Sequence, residues 1–306
     1  MNSILEDFKL AFKTGNILNQ LIVINVLAFV VMGIVGVIFT LAGYGVAFSA
    51  FAKYLMLPAD FGQLIFQPWS LITYFFFHEG IFHILFNMLF LYWFGRIITE
   101  YLGQNKALGL YVWGGIFGGL LYLIAYNLIP FYQSAVPTSY LLGASGGVIA
   151  IVVGAATFMP NFTIPLIFLG PVKLKYVAAF YVITSLLRST GVNAGGEIAH
   201  LGGALAGFLF ITQLKSGSDW STPIVQFTSW VKSLFKPQPK IKVSYRKSDK
   251  KNTTQSTKAT SSKSSTNSKT NTSQAEIDTI LDKISEKGYD ALSKDEKQKL
   301  FNASKD

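Results

Sequence analysis

The chain has 306 residues, of which 51% are apolar and 14% charged, with no cysteine and a formal net charge of +10. A soluble domain carries about 25% charged residues, so this composition excludes an ordinary soluble globular protein. The lack of cysteine excludes a disulfide scaffold, thiolate metal sites and a cysteine nucleophile.

The N-terminus carries Glu6 and Asp7 where a signal peptide would be basic. The first apolar run is also longer than a signal core, so it is expected to be retained as a span. Residues Ser3 to Phe12 are predicted to form an interfacial helix with Ile4, Leu5, Phe8 and Phe12 on one side. Apolar runs predict six membrane spans, over about 18–41, 70–95, 106–129, 143–159, 174–188 and 194–213. The fold class expected is an all-α polytopic membrane protein, a six-transmembrane-helix bundle, with a cytoplasmic C-terminal tail. The loop over 42–69 contains Phe48, Phe51, Tyr54, Phe61 and Phe66, so it is expected to rest in the membrane surface. Lys9, Lys13, Arg96, Lys106, Lys173 and Lys175 fall on one side of such a bundle, and Lys53 and Arg188 on the other. The positive-inside rule then puts both termini in the cytoplasm.

The segments divide as an N-terminal piece over 1–17, the bundle over 18–214, an amphipathic interfacial segment over 215–237, a basic linker over 238–272 and a small helical unit over 273–306. In the third, Trp220, Ile224, Phe227, Val231 and Leu234 recur at helical spacing. The Lys/Ser/Thr/Asn-rich linker is too polar to build a core and is expected to be disordered. It holds most of the positive excess. No aromatics interleave with its lysines, so a tether beside an anionic membrane face is expected and a nucleic-acid partner is not. In the last unit, Ser273 with Glu276 and Ser293 with Glu296 have capping-box spacing. Ile277, Ile280, Leu281 and Ile284 make an apolar stripe, Gly288 ends the helix, and Leu300 and Phe301 could fold back over the stripe.

The chain has three histidines, His78, His83 and His200, and all lie in or beside predicted spans. Polar groups in a membrane helix are costly and need a reason. His83 and Asn87 are four apart and share a helix face. On a continuous helix His78 points elsewhere, which favours a structural role at the helix entrance, holding the 42–69 loop. In the sixth span Gly196, His200, Gly203 and Gly207 form one stripe, and in the fourth Gly146, Ala150 and Gly154 offer a matching one. Small residues let two helices approach closely, as a direct Ser–His hydrogen bond requires.

Ser145 stands in Gly143-Ala144-Ser145-Gly146-Gly147. The pattern matches the nucleophile elbow of soluble α/β-hydrolases, but that motif needs a strand before it and a soluble sheet around it, so that assignment is rejected. The glycines leave the hydroxyl accessible, and the Ser145 amide at a helix N-terminus can donate to a developing oxyanion. Taken singly, Ser145 is more often a packing residue than a nucleophile, and Gly203-x3-Gly207 more often a helix contact. Three histidines with one facing away make no convincing metal site. No cofactor is indicated. A transporter would show buried charge or inverted repeats, and neither is visible.

The ordered set resembles the rhomboid family of intramembrane proteases. The matching pieces are Gln67-Pro68-Trp69, then His78-x4-His83-x3-Asn87, then Gly143-Ala144-Ser145-Gly146, then Ala199-His200-Leu201-Gly202-Gly203-x3-Gly207. The resemblance implies a serine endopeptidase that cuts transmembrane segments of other membrane proteins near the outer face. Ser145 would be the nucleophile and His200 the general base. Asn87, His83 and the Ser145 amide would bind the oxyanion, with Trp69, His78, Gly143, Gly146, Gly203 and Gly207 in support. It also implies residence in a bacterial inner membrane, because the C-terminal unit resembles an appendage of Bacteroidetes rhomboids. Two departures stand out. Many members have Arg after the loop tryptophan, where this chain has Ser70, and Tyr four residues after the serine, where it has Ile149. No acid sits deep in a span; Glu79 and Glu197 lie at water-reachable entrances. Glu197, three residues before His200, could contact it, but a dyad is expected. The alternative is a non-catalytic rhomboid-like protein that binds transmembrane clients.

Overall fold

The structure, a computed structural model, describes residues 16–166, 170–235 and 274–303. The expected interfacial helix over 3–12, the linker over 238–272 and Ser273 lie outside the described residues.

Six helices form the body: α1 (Ile17–Leu41), α2 (Ile81–Tyr101), α3 (Gln104–Leu128), α4 (Ser145–Phe158), α5 (Leu174–Arg188) and α6 (Ala194–Lys215). Of these, α1, α2, α3 and α6 are long and apolar enough to cross a bilayer. Large side chains such as Ile34, Val37, Phe82, Leu128, Phe180 and Leu187 are exposed on the outside, a surface that lipid tails cover and water would penalise. The chain is an all-α polytopic membrane protein. Only 17% of the most apolar window of α1 is buried, against 67% in α6, so α1 is peripheral and α6 central.

The second span departs from expectation. Residues 70–80 are not part of α2. Ser70–Thr73 makes one helical turn, Tyr74–Phe76 a 3-10 turn, and residues 77–80 are non-helical. Gly80 is extended, with φ −166 and ψ 174, and α2 starts after it. The apolar run continues through 70–77, so hydropathy alone hides this break. At the other end Gly103, with φ +87, closes α2 in a conformation that glycine adopts without steric cost.

α4 has 14 residues, about 21 Å of helix against a hydrocarbon core of about 30 Å. Every residue from Gly146 to Ala156 is buried. A helix this short is tolerated because protein, not lipid, surrounds its length. Its neighbours are set by small residues. A Cβ at Gly203 would overlap the Gly146 carbonyl, and one at Gly207 would overlap that of Ala150. Residues 57 apart therefore meet in both pairs, so α4 and α6 run parallel. Gly118 faces the Ala199 carbonyl, Gly195 faces Tyr122, and Gly109 faces Phe210; as one number rises the other falls, so α3 runs antiparallel to α6. Gly114 likewise meets Gly146, Gly147 and Ala150. The glycine face of α3 is thus the third wall of the core.

The 42–80 segment is fastened to this core. It contains helices over Gly45–Lys53 and Phe61–Phe66, the latter capped by Asp60, whose carboxylate accepts from Gln63 N at 3.0 Å. Strand β1 (Leu57–Pro58) pairs antiparallel with β2 (Tyr140–Leu141). Trp69 Nε1 donates to Tyr54 O and Asn127 Nδ2 to Ala59 O, both at 2.8 Å. A second small ribbon, β3 (Thr163–Leu166) with β4 (Gly170–Lys173), lies between α4 and α5.

α7 (Ser221–Phe235) follows the bundle. Trp113 Nε1 donates to Trp220 O at 2.8 Å, and the Lys106 ammonium pairs with Asp219. Phe227, Trp230 and Leu234 are exposed, an outward apolar side suited to a membrane surface.

Residues 274–303 form a separate unit of two helices, α8 (Gln274–Lys287) and α9 (Lys294–Ala303). Ser293 N donates to Glu296 Oε2 at 2.7 Å and Glu296 N to Ser293 Oγ at 3.3 Å, the reciprocal capping box that the spacing predicts. Gly288, with φ +79, ends α8. Ile280 and Leu292 are buried, whereas Leu281 is exposed, so the stripe is narrower than the sequence suggests.

Candidate active site

Ser145, His200, His83 and Asn87 line one cavity of about 840 Å³. The three helices that carry them begin at Ser145, Ala194 and Ile81, so the first two turns of α4, α6 and α2 gather at one end of the bundle. The parallel register of α4 and α6 sets Gly143 level with His200. Ser145 is two residues further on, about 3 Å along the axis. Gly203 and Gly207 pack on the Gly146 and Ala150 carbonyls one and two turns deeper. Among the predicted site glycines, then, Gly146, Gly203 and Gly207 set helix separation.

Gly143 has a different task. Its φ is +121, and a Cβ there would lie 3.0 Å from His83 Nε2 and 3.7 Å from Ser145 Oγ. It is needed both for its backbone conformation and for the space that it leaves between two predicted site atoms. Its N–H donates to Tyr74 O at 2.9 Å, which fixes the chain just before α4. The first turn of α4 has no side-chain cap, so its amides are left without intrahelical acceptors.

Glu79 N donates to His83 Nδ1 at 3.4 Å. With Nδ1 accepting, neutral His83 carries its proton on Nε2, the atom beside Gly143. Asn87 is buried and its Nδ2 donates to His83 O at 2.8 Å. An amide has a second N–H, which remains available to the cavity.

His200 differs from expectation. Its described side-chain hydrogen bond joins Nδ1 to Ser185 Oγ at 3.3 Å, Glu197 Oε2 lies 3.3 Å from the same nitrogen, and no described bond joins it to Ser145. The direct Ser–His bond anticipated from the sequence is therefore not formed here; catalytic hydrogen bonds often tighten only with substrate bound. Glu197 is more buried than its place at a helix entrance suggests: it is 6% exposed, although it lines the cavity. Arg188 Nε sits 3.2 Å from its Oε1.

His78 also departs from the expected picture. Because residues 77–80 are not helical, the rotation argument does not apply to it. Its ring stands edge-on to His83 with centroids 4.9 Å apart, and neither buried nitrogen has a hydrogen-bond partner. Trp69, outside the cavity lining, bonds to Tyr54 O within the 42–69 loop, and Asn127 of α3 ties that loop to the bundle. Ile149 is buried and lines the cavity, and Ser70 is fully buried. Sequence reasoning missed Ser185 and Arg188 on α5, where no local signal marked them. It also missed Gly114 and Gly118 on α3, which the doubled glycine pairs of that helix could have revealed. No group of three His, Asp or Glu side chains suited to a metal occurs among the described residues.

Fold and site together define a polytopic helical membrane protein with a polar, serine- and histidine-lined cavity at one end of its bundle. Residues 65–216 match the Rhomboid domain, and the chain belongs to the rhomboid family. Residues 263–306 match a family described as of unknown function, DUF6576. The chain is 32% identical over 157 residues to RHOMBOID-like protein 12, mitochondrial, of Arabidopsis thaliana, covering 48% of this chain and 47% of that one. It is 30% identical over 161 residues to Inactive rhomboid-related protein 2 of Caenorhabditis elegans, covering 50% and 42%. It is 27% identical over 156 residues to the human Presenilin-associated rhomboid-like protein, mitochondrial, covering 49% and 38%. The chain thus spans less than half the length of these curated relatives. Their names lend no support to the bacterial inner membrane expected above.

Proposed function

We propose that this chain is a serine-type endopeptidase that cleaves transmembrane segments of other membrane proteins. The observation that carries the reading is that Ser145 and His200, within about 3 Å of each other along the axes of two parallel, glycine-packed helices, line one cavity with His83 and Asn87. In this reading His200 takes the Ser145 hydroxyl proton as the oxygen attacks a peptide carbonyl. The oxyanion is held by the His83 Nε2–H, the free Asn87 N–H and the Ser145 amide. His200 then gives its proton to the leaving amine, and water resolves the acyl-enzyme. A helical substrate hides its peptide bonds in hydrogen bonds, so segments with small or helix-breaking residues suit the site best. Both termini go on the cytoplasmic side by the Lys/Arg bias. This puts Ser134, in the loop before α4, outside, and a single cysteine there is expected to react with an impermeant outside reagent.

A second reading, a non-catalytic binder of transmembrane clients, is favoured by the relative named inactive and by the open Ser145–His200 pair. Labelling of the purified chain with a serine-directed fluorophosphonate separates the two. The protease reading expects labelling of the wild type and none of Ser145→Ala. Absence of label on a folded wild-type protein that also cuts no model substrate sinks it.

A further inference from the structure

Glu197 sits where an acid has two ordinary explanations. A carboxylate in the first turn of a helix complements the helix dipole, and an Arg–Glu pair can staple two helices. Neither explains its full set of partners. The dipole role needs no burial, yet Glu197 is 6% exposed in a membrane helix. A staple needs only Arg188, yet Oε2 lies 3.3 Å from His200 Nδ1, and Ser185, whose Oγ is 3.3 Å from the same nitrogen, adjoins the carboxylate as well.

The hydrogen inventory decides what this cluster does. Arg188 is always a donor and keeps the carboxylate beside it ionised, and an ionised carboxylate only accepts. His200 Nδ1 must then supply a proton to it. A neutral imidazole with its proton on Nδ1 has its lone pair on Nε2, the form that a general base needs. Two of the groups that fix this state, Ser185 and Arg188, belong to α5 and not to the helix of His200. The other titratable groups lining the cavity near these residues are His83 and Glu79 at the entrance of α2 and Tyr181 on α5. None of them is hydrogen-bonded to His200.

We propose that Glu197, clasped by Arg188 and Ser185 of α5, is a positioning residue that holds His200 in the Nδ1–H tautomer. The proposal rests on the protease reading for its consequence in turnover, but not for the tautomer itself. It adds Glu197 to the expected Ser145–His200 dyad as a third, orienting member that depends on α5.

The test uses the full chain in detergent with ring-nitrogen-labelled histidine. There are three histidines to resolve, and His200→Ala assigns the signal in question. Above about pH 8, where imidazoles are neutral, wild-type His200 is expected to show its proton on Nδ1. In Glu197→Gln the Arg188 side chain claims the amide oxygen, so the amide N–H faces Nδ1 and the proton moves to Nε2. Turnover is then expected to fall by about 10²-fold or more with KM unchanged, and Glu197→Asp, which keeps the acceptor, to restore the tautomer and much of the rate. A wild-type His200 protonated on Nε2 overturns the proposal even if Glu197→Gln does not fold. So does a folded Glu197→Gln with wild-type tautomer and turnover. If the wild type shows the Nδ1–H tautomer but neither labels nor cleaves, the protease reading fails and the positioning contact stands.

Discussion

Gly203 of α6 lies against the peptide carbonyl of Gly146 on α4, so closely that a Cβ at Gly203 would overlap that oxygen. The neighbour is backbone, which cannot swing aside as a side chain can. Gly203→Ala is therefore expected to push α6 from α4 and cost about 1–3 kcal/mol, as overpacking does. Ser145 adjoins this contact and His200 sits about one turn above it, so fluorophosphonate labelling should fall with it. Melting temperature and labelling of the same purified variant check this. A Gly203→Ala protein that melts and labels like wild type would show that the contact does not set the helix spacing.

Asn87 and the Ser145–His200 pair are expected to differ in how much turnover their loss removes. Asn87→Ala should slow turnover by about 10²–10³-fold if its free N–H meets the oxyanion, with little change in melting temperature. Ser145→Ala and His200→Ala should each abolish turnover, and the double variant should be no worse, because the pair acts as a unit. Single-turnover cleavage of a model substrate measures this. Full activity of Asn87→Ala would remove that residue from the oxyanion set.

His78 offers a different contrast. Its ring packs edge-on against His83 and makes no hydrogen bond, so shape is what it contributes. His78→Phe is expected to keep turnover within a few-fold of wild type, whereas His78→Ala frees the His83 ring and slows turnover about 10-fold or more, as misplacement of a catalytic group does. Equal loss in both would mean that the imidazole nitrogens matter, and that the packing account is wrong.

Asp219 fastens α7 to the start of α3. Burial pushes its carboxyl up, but hydrogen bonds from Lys106 and Ser221 outweigh it and hold the group at about 2, below the ordinary 3.8. A depressed carboxyl stabilises the folded form above its unfolded value and loses that contribution as pH falls through the folded one. The attachment of α7 should therefore be intact at neutral pH and weaken between about 3.8 and about 2. Trp113 and Trp220 meet at this joint with ring centroids 6.1 Å apart, so tryptophan emission should report the change. Asp219→Asn should show the acid form's emission at neutral pH; an Asp219→Asn spectrum identical to wild type there would refute the link.

Much of the molecule was legible in the order of its residues. Six apolar runs marked the six helices, because burial in lipid or in protein demands long uncharged segments wherever they lie in space. Ser145, His200, His83 and Asn87 stood out because a polar side chain in such a run is costly and therefore conspicuous. The stripe of Gly203 and Gly207 and its match in Gly146 and Ala150 followed from helical periodicity, and the packing agrees. Those are properties of one helix at a time. What needed the tertiary structure were relations between elements. The non-helical residues 77–80 broke a run that hydropathy read as continuous, and so brought His78 onto His83 when rotation along one helix set them apart. Glu197 looked like a solvated acid at a helix entrance because nothing in its own helix shows that Arg188 and Ser185 of α5 close over it. A sequence states which face of a helix a residue occupies, but the donors that meet a buried carboxylate come from another helix, and only packing brings them there.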